Sequence, residues 1–112
     1  MADIDSIASN TLSRSTLGPE QLHQEVAALG TRWSIAGADL KCELRGAAMT
    51  KYGEAAAYAS KLADEMDHHP NIALGFNGLD LMIHTHDANA ITVTDLVYAA
   101  RFERWLRGNG WA

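Results

Sequence analysis

Only one cysteine and two prolines occur among the 112 residues, acidic side chains outnumber basic ones, and no long apolar run is present. Each shortage excludes something. Cys42 alone cannot form an internal disulfide, so the fold must rest on apolar packing, and a reducing, cytoplasmic location is expected. Nine Lys and Arg against fourteen Asp and Glu leave a net charge of -5, which offers no basic footprint for phosphates and argues against direct nucleic-acid binding. No stretch approaches the length of a signal-peptide core or a transmembrane helix, so no membrane role is expected. There is no Gly-x-Ser-x-Gly elbow, and the glycines never assemble into a phosphate-binding loop, so acyl transfer and nucleotide binding are unsupported.

What is present suffices for one compact domain: 47% of the residues are hydrophobic, enough for a core without disulfides. Residues 1–15 hold few large apolar groups and show no sustained period, so they read as a poorly ordered, flexible extension, with a single domain over 16–112. Pro19 suits a first helical position, Leu22, Val26 and Leu29 recur at helical spacing, and Gly30 can close that helix. A hairpin is expected next, from Trp33 to Ile35, a turn near Gly37-Ala38, and Leu40, Cys42 and Leu44 alternating with polar residues. Cys42 on that apolar alternation reads as a small core residue.

A long helix is predicted over Met49 to Met66, where Tyr52, Ala55, Ala59, Leu62, Ala63 and Met66 form one apolar stripe open to another helix or a subunit contact. Ile72, Leu74 and Phe76 then alternate up to Asn77-Gly78, the pair favoured in a two-residue hairpin turn. On the returning strand Leu79, Leu81, Ile83 and Thr85 share the core face, with Asp80, Met82, His84 and His86 opposite. Thr92 or Thr94 can cap a last helix from Val93 to Arg107. The expected fold is α+β, two-layered: a four-stranded antiparallel sheet of two hairpins, in the order α-β-β-α-β-β-α.

Four of the five histidines fall around the second hairpin: His68 and His69, followed by Pro70, and His84 and His86. Imidazoles exchange protons near neutrality, so their convergence suggests proton transfer or metal binding. With Asn77-Gly78 as the turn, Phe76 faces Leu79, Asn71 faces His84 and His69 faces His86, close enough to touch one small ligand. Pro70 lacks an amide hydrogen and is expected to fix how the histidine pair leaves the helix. His23 reads as a tolerated surface residue. Zinc is a rival, since a His-x-His pair plus a third histidine can ligate it; the adjacent double histidine argues against both rings meeting one ion.

Asp64-x-x-Asp67-His68-His69-Pro70, the aromatic Phe76, Thr85-His86-Asp87 and Thr92-x-x-Asp95 together resemble the pterin-4a-carbinolamine dehydratases, over roughly Gly18 to the C-terminus. Trp33 also falls where that family places a tryptophan before its first hairpin. The resemblance implies helices packed on one face of the sheet. It also implies an enzyme that dehydrates 4a-hydroxytetrahydropterin to quinonoid dihydropterin, recycling the pterin used by aromatic amino acid hydroxylases, with no metal or redox cofactor. It implies His68, His69 and His86 as catalytic residues, and Asp64, Asp67, His84, Thr85 and Asp95 around the substrate. A homodimer or homotetramer, in some members through the helix equivalent to Met49 to Met66, is implied as well. Asp64 is shorter than the common glutamate, Phe76 lacks the hydroxyl of the frequent tyrosine, and His84 replaces a small polar residue. Some relatives are coactivators that join dimeric transcription factors, and others assist enzyme assembly, so a non-catalytic protein-binding module is the alternative.

Overall fold

The computed structural model describes residues 3–112. Four helices, α1 (Ile4–Ala8), α2 (Pro19–Leu29), α3 (Met49–Met66) and α4 (Val93–Gly108), accompany four strands, β1 (Trp33–Ala36), β2 (Asp39–Leu44), β3 (Asn71–Gly75) and β4 (Gly78–Ile83). The strands form one antiparallel sheet in the order β1-β2-β4-β3. Alternation decides which face the helices cover: Leu40, Cys42, Leu44, Leu79, Leu81 and Ile83 are all at most 1% exposed, while Lys41, Glu43, Asp80 and Met82 stand on the open side. Truncating any of those buried leucines to alanine would cost about 2 to 5 kcal/mol.

Local chemistry explains the helix limits. Pro19 opens α2, and Gly30, at φ 109°, closes it in a conformation that a side chain would resist. The stripe of α3 is consumed within the monomer: Ala55, Ala59 and Ala63 are buried, and the Tyr98 hydroxyl of α4 donates to the Ala59 carbonyl at 2.7 Å. Small side chains let that neighbouring helix come close. Thr92 and Asp95 make a reciprocal capping box at the start of α4.

Two expectations need correction. Residues 3–15 are not a loose extension: α1 buries Ile7 and Ala8, and the segment behind it docks on the first turn of α4. The Val93 amide donates to the Ser15 carbonyl and the Thr94 amide to the Ser13 carbonyl, each at 3.0 Å, supplying partners that a helix start cannot find within itself. Ser13 is further tied to the Thr94 hydroxyl. A contact made by only two adjacent residues, Ile7 and Ala8, is too short to show a period in sequence. Met1 and Ala2, part of the same expected extension, lie outside the described residues.

The second correction is the β3–β4 register. Gly75 faces Gly78 and Asn71 faces Met82, so the two-residue loop is Phe76-Asn77 rather than Asn77-Gly78, and the pairing is displaced by two residues from the expected one. Gly78 serves close approach instead of the turn: the Arg45 side chain lies where a Cβ would stand, donating to the Leu44 carbonyl and to Asp80.

Candidate active site

Two junctions deliver the histidines, the link from α3 to β3 and the end of β4. At the end of α3, Asp67 takes a left-handed conformation (φ 50°, ψ 47°), and the His68 amide returns to the Ala63 carbonyl at 3.0 Å. That reversal sets the direction in which His68 and His69 leave the helix. The His68 ring, only 15% exposed, reaches α4, where Nε2 lies 2.5 Å from Asp95 Oδ1.

Asp95 is completely buried, and its partners are all accounted for. Oδ2 accepts from the Thr92 amide at 2.8 Å and from the Thr85 hydroxyl at 2.9 Å, while the Thr85 and Thr92 hydroxyls share a 2.7 Å hydrogen bond. One residue thus caps a helix and grips an imidazole. With Nε2 donating to Asp95, the neutral His68 ring keeps Nδ1 as its acceptor, a tautomer assigned from the hydrogen-bond network.

The other rings approach from the end of β4. His84 Nδ1 is 2.7 Å from Asp39 Oδ1, and the His84 and His86 rings meet edge-on, centroids 4.5 Å apart at 64°. His69, more exposed, has Nε2 at 3.1 Å from Asp64 Oδ1. The observed register, extended from Asn71 opposite Met82, puts His69 across from His84, not from His86 as expected.

A cavity of about 220 Å³ is lined by Asp67, His68, His69, His84, Thr85, His86 and Asp87. Of the residues singled out in sequence, six line it directly; Asp95 stands behind His68, and Asp64 lies at the rim, held to His69. Phe76 does not join them: it is 82% exposed at the hairpin tip. His23 sits on α2 with Nδ1 donating to the Pro19 carbonyl, away from the cavity. Sequence reasoning missed Asp39, whose link to His84 spans 45 positions; Asp87, quoted only as part of the Thr85-His86-Asp87 motif, also lines the cavity, and its carboxylate meets Arg14 at 2.6 Å.

The site suits proton transfer. Several imidazoles share one small cavity, and three of them, His68, His69 and His84, have a carboxylate at one ring nitrogen. Among the described residues, no group of three or more His, Cys, Asp or Glu side chains is gathered tightly enough to hold a metal ion. Cys42 is fully buried in the sheet core, where burial pushes its thiol well above the ordinary value and away from nucleophilic use. A second hollow of about 250 Å³, lined by Arg45, Leu74, Asn77 and Asp80 among others, contains no histidine. No helix among the described residues is long and apolar enough to cross a membrane.

The same architecture recurs in a crystal structure of a transcriptional coactivator/pterin dehydratase from Brucella melitensis, with a TM-score of 0.73 over 80% of this chain and 97% of that one, a likeness of fold at 21% identity. In sequence, a candidate pterin-4-alpha-carbinolamine dehydratase from Mesorhizobium japonicum is 29% identical over 87% of this chain and all of its own length. One from Chromobacterium violaceum is 33% identical over 67% of this chain and 69% of its own. Residues 15–105 match the family model described as pterin 4 alpha carbinolamine dehydratase. With most of its length inside that match, the chain belongs to the pterin 4 alpha carbinolamine dehydratase family.

Proposed function

We propose that this protein dehydrates 4a-hydroxytetrahydropterin to quinonoid dihydropterin and water by general acid/base catalysis on histidines. The observation that carries it is the shared cavity of His68, His69 and His86, with His68 clamped by a buried aspartate. Loss of water needs one proton delivered to the departing hydroxyl and one removed from the neighbouring ring nitrogen, as the electron pair of that nitrogen closes the new double bond. Both transfers fall in the range where imidazole works.

The hydrogen bonds support one division of roles. His68, with Nε2–H engaged by Asp95, offers Nδ1 as the base. His86 is exposed and its ring has no hydrogen-bond partner among the described residues, so it can deliver a proton to the hydroxyl and recover one from water. His69, steadied by Asp64, orients the hydroxyl. Asp67, His84 and Thr85 complete the wall around the heterocycle. A cytoplasmic homodimer or homotetramer, linked to an aromatic amino acid hydroxylase through its pterin, belongs to the same proposal.

The test is turnover of 4a-hydroxytetrahydropterin with a chelator present. Wild type should be active, and His86→Ala should lose on the order of 100-fold or more in turnover while its circular dichroism is unchanged. A fully active His86→Ala enzyme would remove the acid assignment, and loss of wild-type activity on chelation would restore the zinc alternative. A wild type without turnover would leave the second reading, a protein-binding module. That reading draws on the exposed Phe76 and the 38% exposed Leu74 at the hairpin tip, and on the Brucella relative described as a coactivator.

A further inference from the structure

His84 has its own orienting carboxylate, supplied by the other hairpin. In the β2–β4 pairing Leu40 faces Ile83, and one step further the same register brings Asp39 opposite His84. Asp39 sits directly after the Gly37-Ala38 turn, at the first position of β2, on the open face of the sheet. Cross-strand neighbours at that spacing can bond directly, and here the Asp39 carboxylate lies 2.7 Å from His84 Nδ1. Both side chains are at least two-thirds shielded, with 22% of His84 and 32% of Asp39 exposed.

Resting on the dehydratase reading, we infer that Asp39 is a positioning residue that holds His84 as the Nδ1–H tautomer, so that Nε2 presents an acceptor to the N–H donors of the substrate's heterocycle. Three observations converge. A carboxylate only accepts from a neutral imidazole, so Nδ1 carries the hydrogen and Nε2 is left as the acceptor. His84 lines the cavity that His68, His69 and His86 also line, and Nε2 has no partner among the described residues. The edge-on contact at 4.5 Å makes the same ring a wall for His86. An unanchored histidine would be free to turn its donor toward the substrate's donors, a mismatch the Asp39 bond forbids.

Other charged or titratable groups border His84 from every side: Lys41 further along β2, His86 and Asp87 after β4, and Asp67, His68 and His69 between α3 and β3. None of them has a hydrogen bond to His84. The anchoring function therefore falls to Asp39 alone among the described residues.

The experiment combines kinetics with nitrogen NMR of protein carrying 15N-labelled histidine. Asp39→Ala should raise KM about tenfold with a smaller change in kcat, the loss of one well-placed hydrogen bond to the bound heterocycle. Its His84 nitrogen shifts should move from the Nδ1–H pattern toward the Nε2–H pattern. Asp39→Asn, whose amide oxygen still accepts from Nδ1–H, should restore both readouts. His84→Ala should match Asp39→Ala in KM, and the double variant should be no worse than either, since both remove one device. Unchanged His84 shifts in Asp39→Ala, or penalties that simply add in the double variant, would overturn the assignment. If wild type neither binds nor converts the pterin, the dehydratase reading falls, yet the tautomer shift still decides the role of Asp39.

Discussion

Two buried carboxylates sit eight residues apart on α4, and their surroundings could hardly differ more. Glu103 is bound by two full cations, Arg32 Nε at 2.8 Å and Arg107 Nε at 2.8 Å, and by the neutral Trp33 indole N–H at 2.8 Å. Burial alone would raise its pKa, but the hydrogen bonds from Arg32, Trp33 and Arg107 outweigh that and hold it below the ordinary carboxylate value. Asp95 meets an imidazole, a hydroxyl and a backbone amide, with no lysine or arginine in contact. Burial therefore does not distinguish a structural acid from the one proposed to be functional; the partners do. A carboxylate neutralised by guanidinium groups ties β1, α2's end and α4 together. One that grips a ring at the wall of a cavity sets how that ring can exchange protons.

The contrast is sharpest in what each loss should damage. Glu103→Ala strands two guanidinium groups and an indole N–H, and should cost about 3 kcal/mol in urea unfolding, with kcat/KM of the folded protein within roughly twofold of wild type. Asp95→Asn should reverse the pattern: about 100-fold lower kcat in the turnover assay, with the stability loss nearer 1 to 2 kcal/mol. An Asp95→Asn protein that is fully active but as unstable as Glu103→Ala would erase the distinction. The smallest effect concerns acid. Because the folded-state pKa of Glu103 is lowered from 4.5, its stabilisation is complete above that value and drains away as pH falls through the folded one. Glu103→Gln should therefore show a flatter stability profile than wild type below about pH 4.5 and a parallel one above it, as read by thermal unfolding across pH.

Elements governed by near neighbours were legible in the sequence. The stripe from Tyr52 to Met66 and the alternation of Leu40, Cys42 and Leu44 depend on contacts within a few positions and appear where the spacing put them, and of the two caps expected for the last helix, Thr92 and Thr94, it is Thr92 that serves. Features set by distant partners were not. Asn77-Gly78 looked like a turn because its own chemistry favours one, but the pairing lies two residues away, and the space above Gly78 is filled by Arg45, some thirty residues earlier. The gathering of the histidines was visible through their shared hairpin; the carboxylate behind His84 was not, since only the β2–β4 register brings Asp39 there. The packing of α1 was hidden for a related reason, as Ile7 and Ala8 find their core on the last helix of the chain.

If His68 and Asp95 act as proposed, the docking of Ser13 and Ser15 onto α4 makes that segment a remote control for their chemistry. The amides they satisfy belong to Val93 and Thr94, immediately ahead of Asp95. A protease cut just upstream of Pro19, or a bulky tag that lifts the segment away, would fray that turn without altering any residue of the cavity. Activity would then be lost through slackened aim on His68, while the sheet and its leucine core stayed intact.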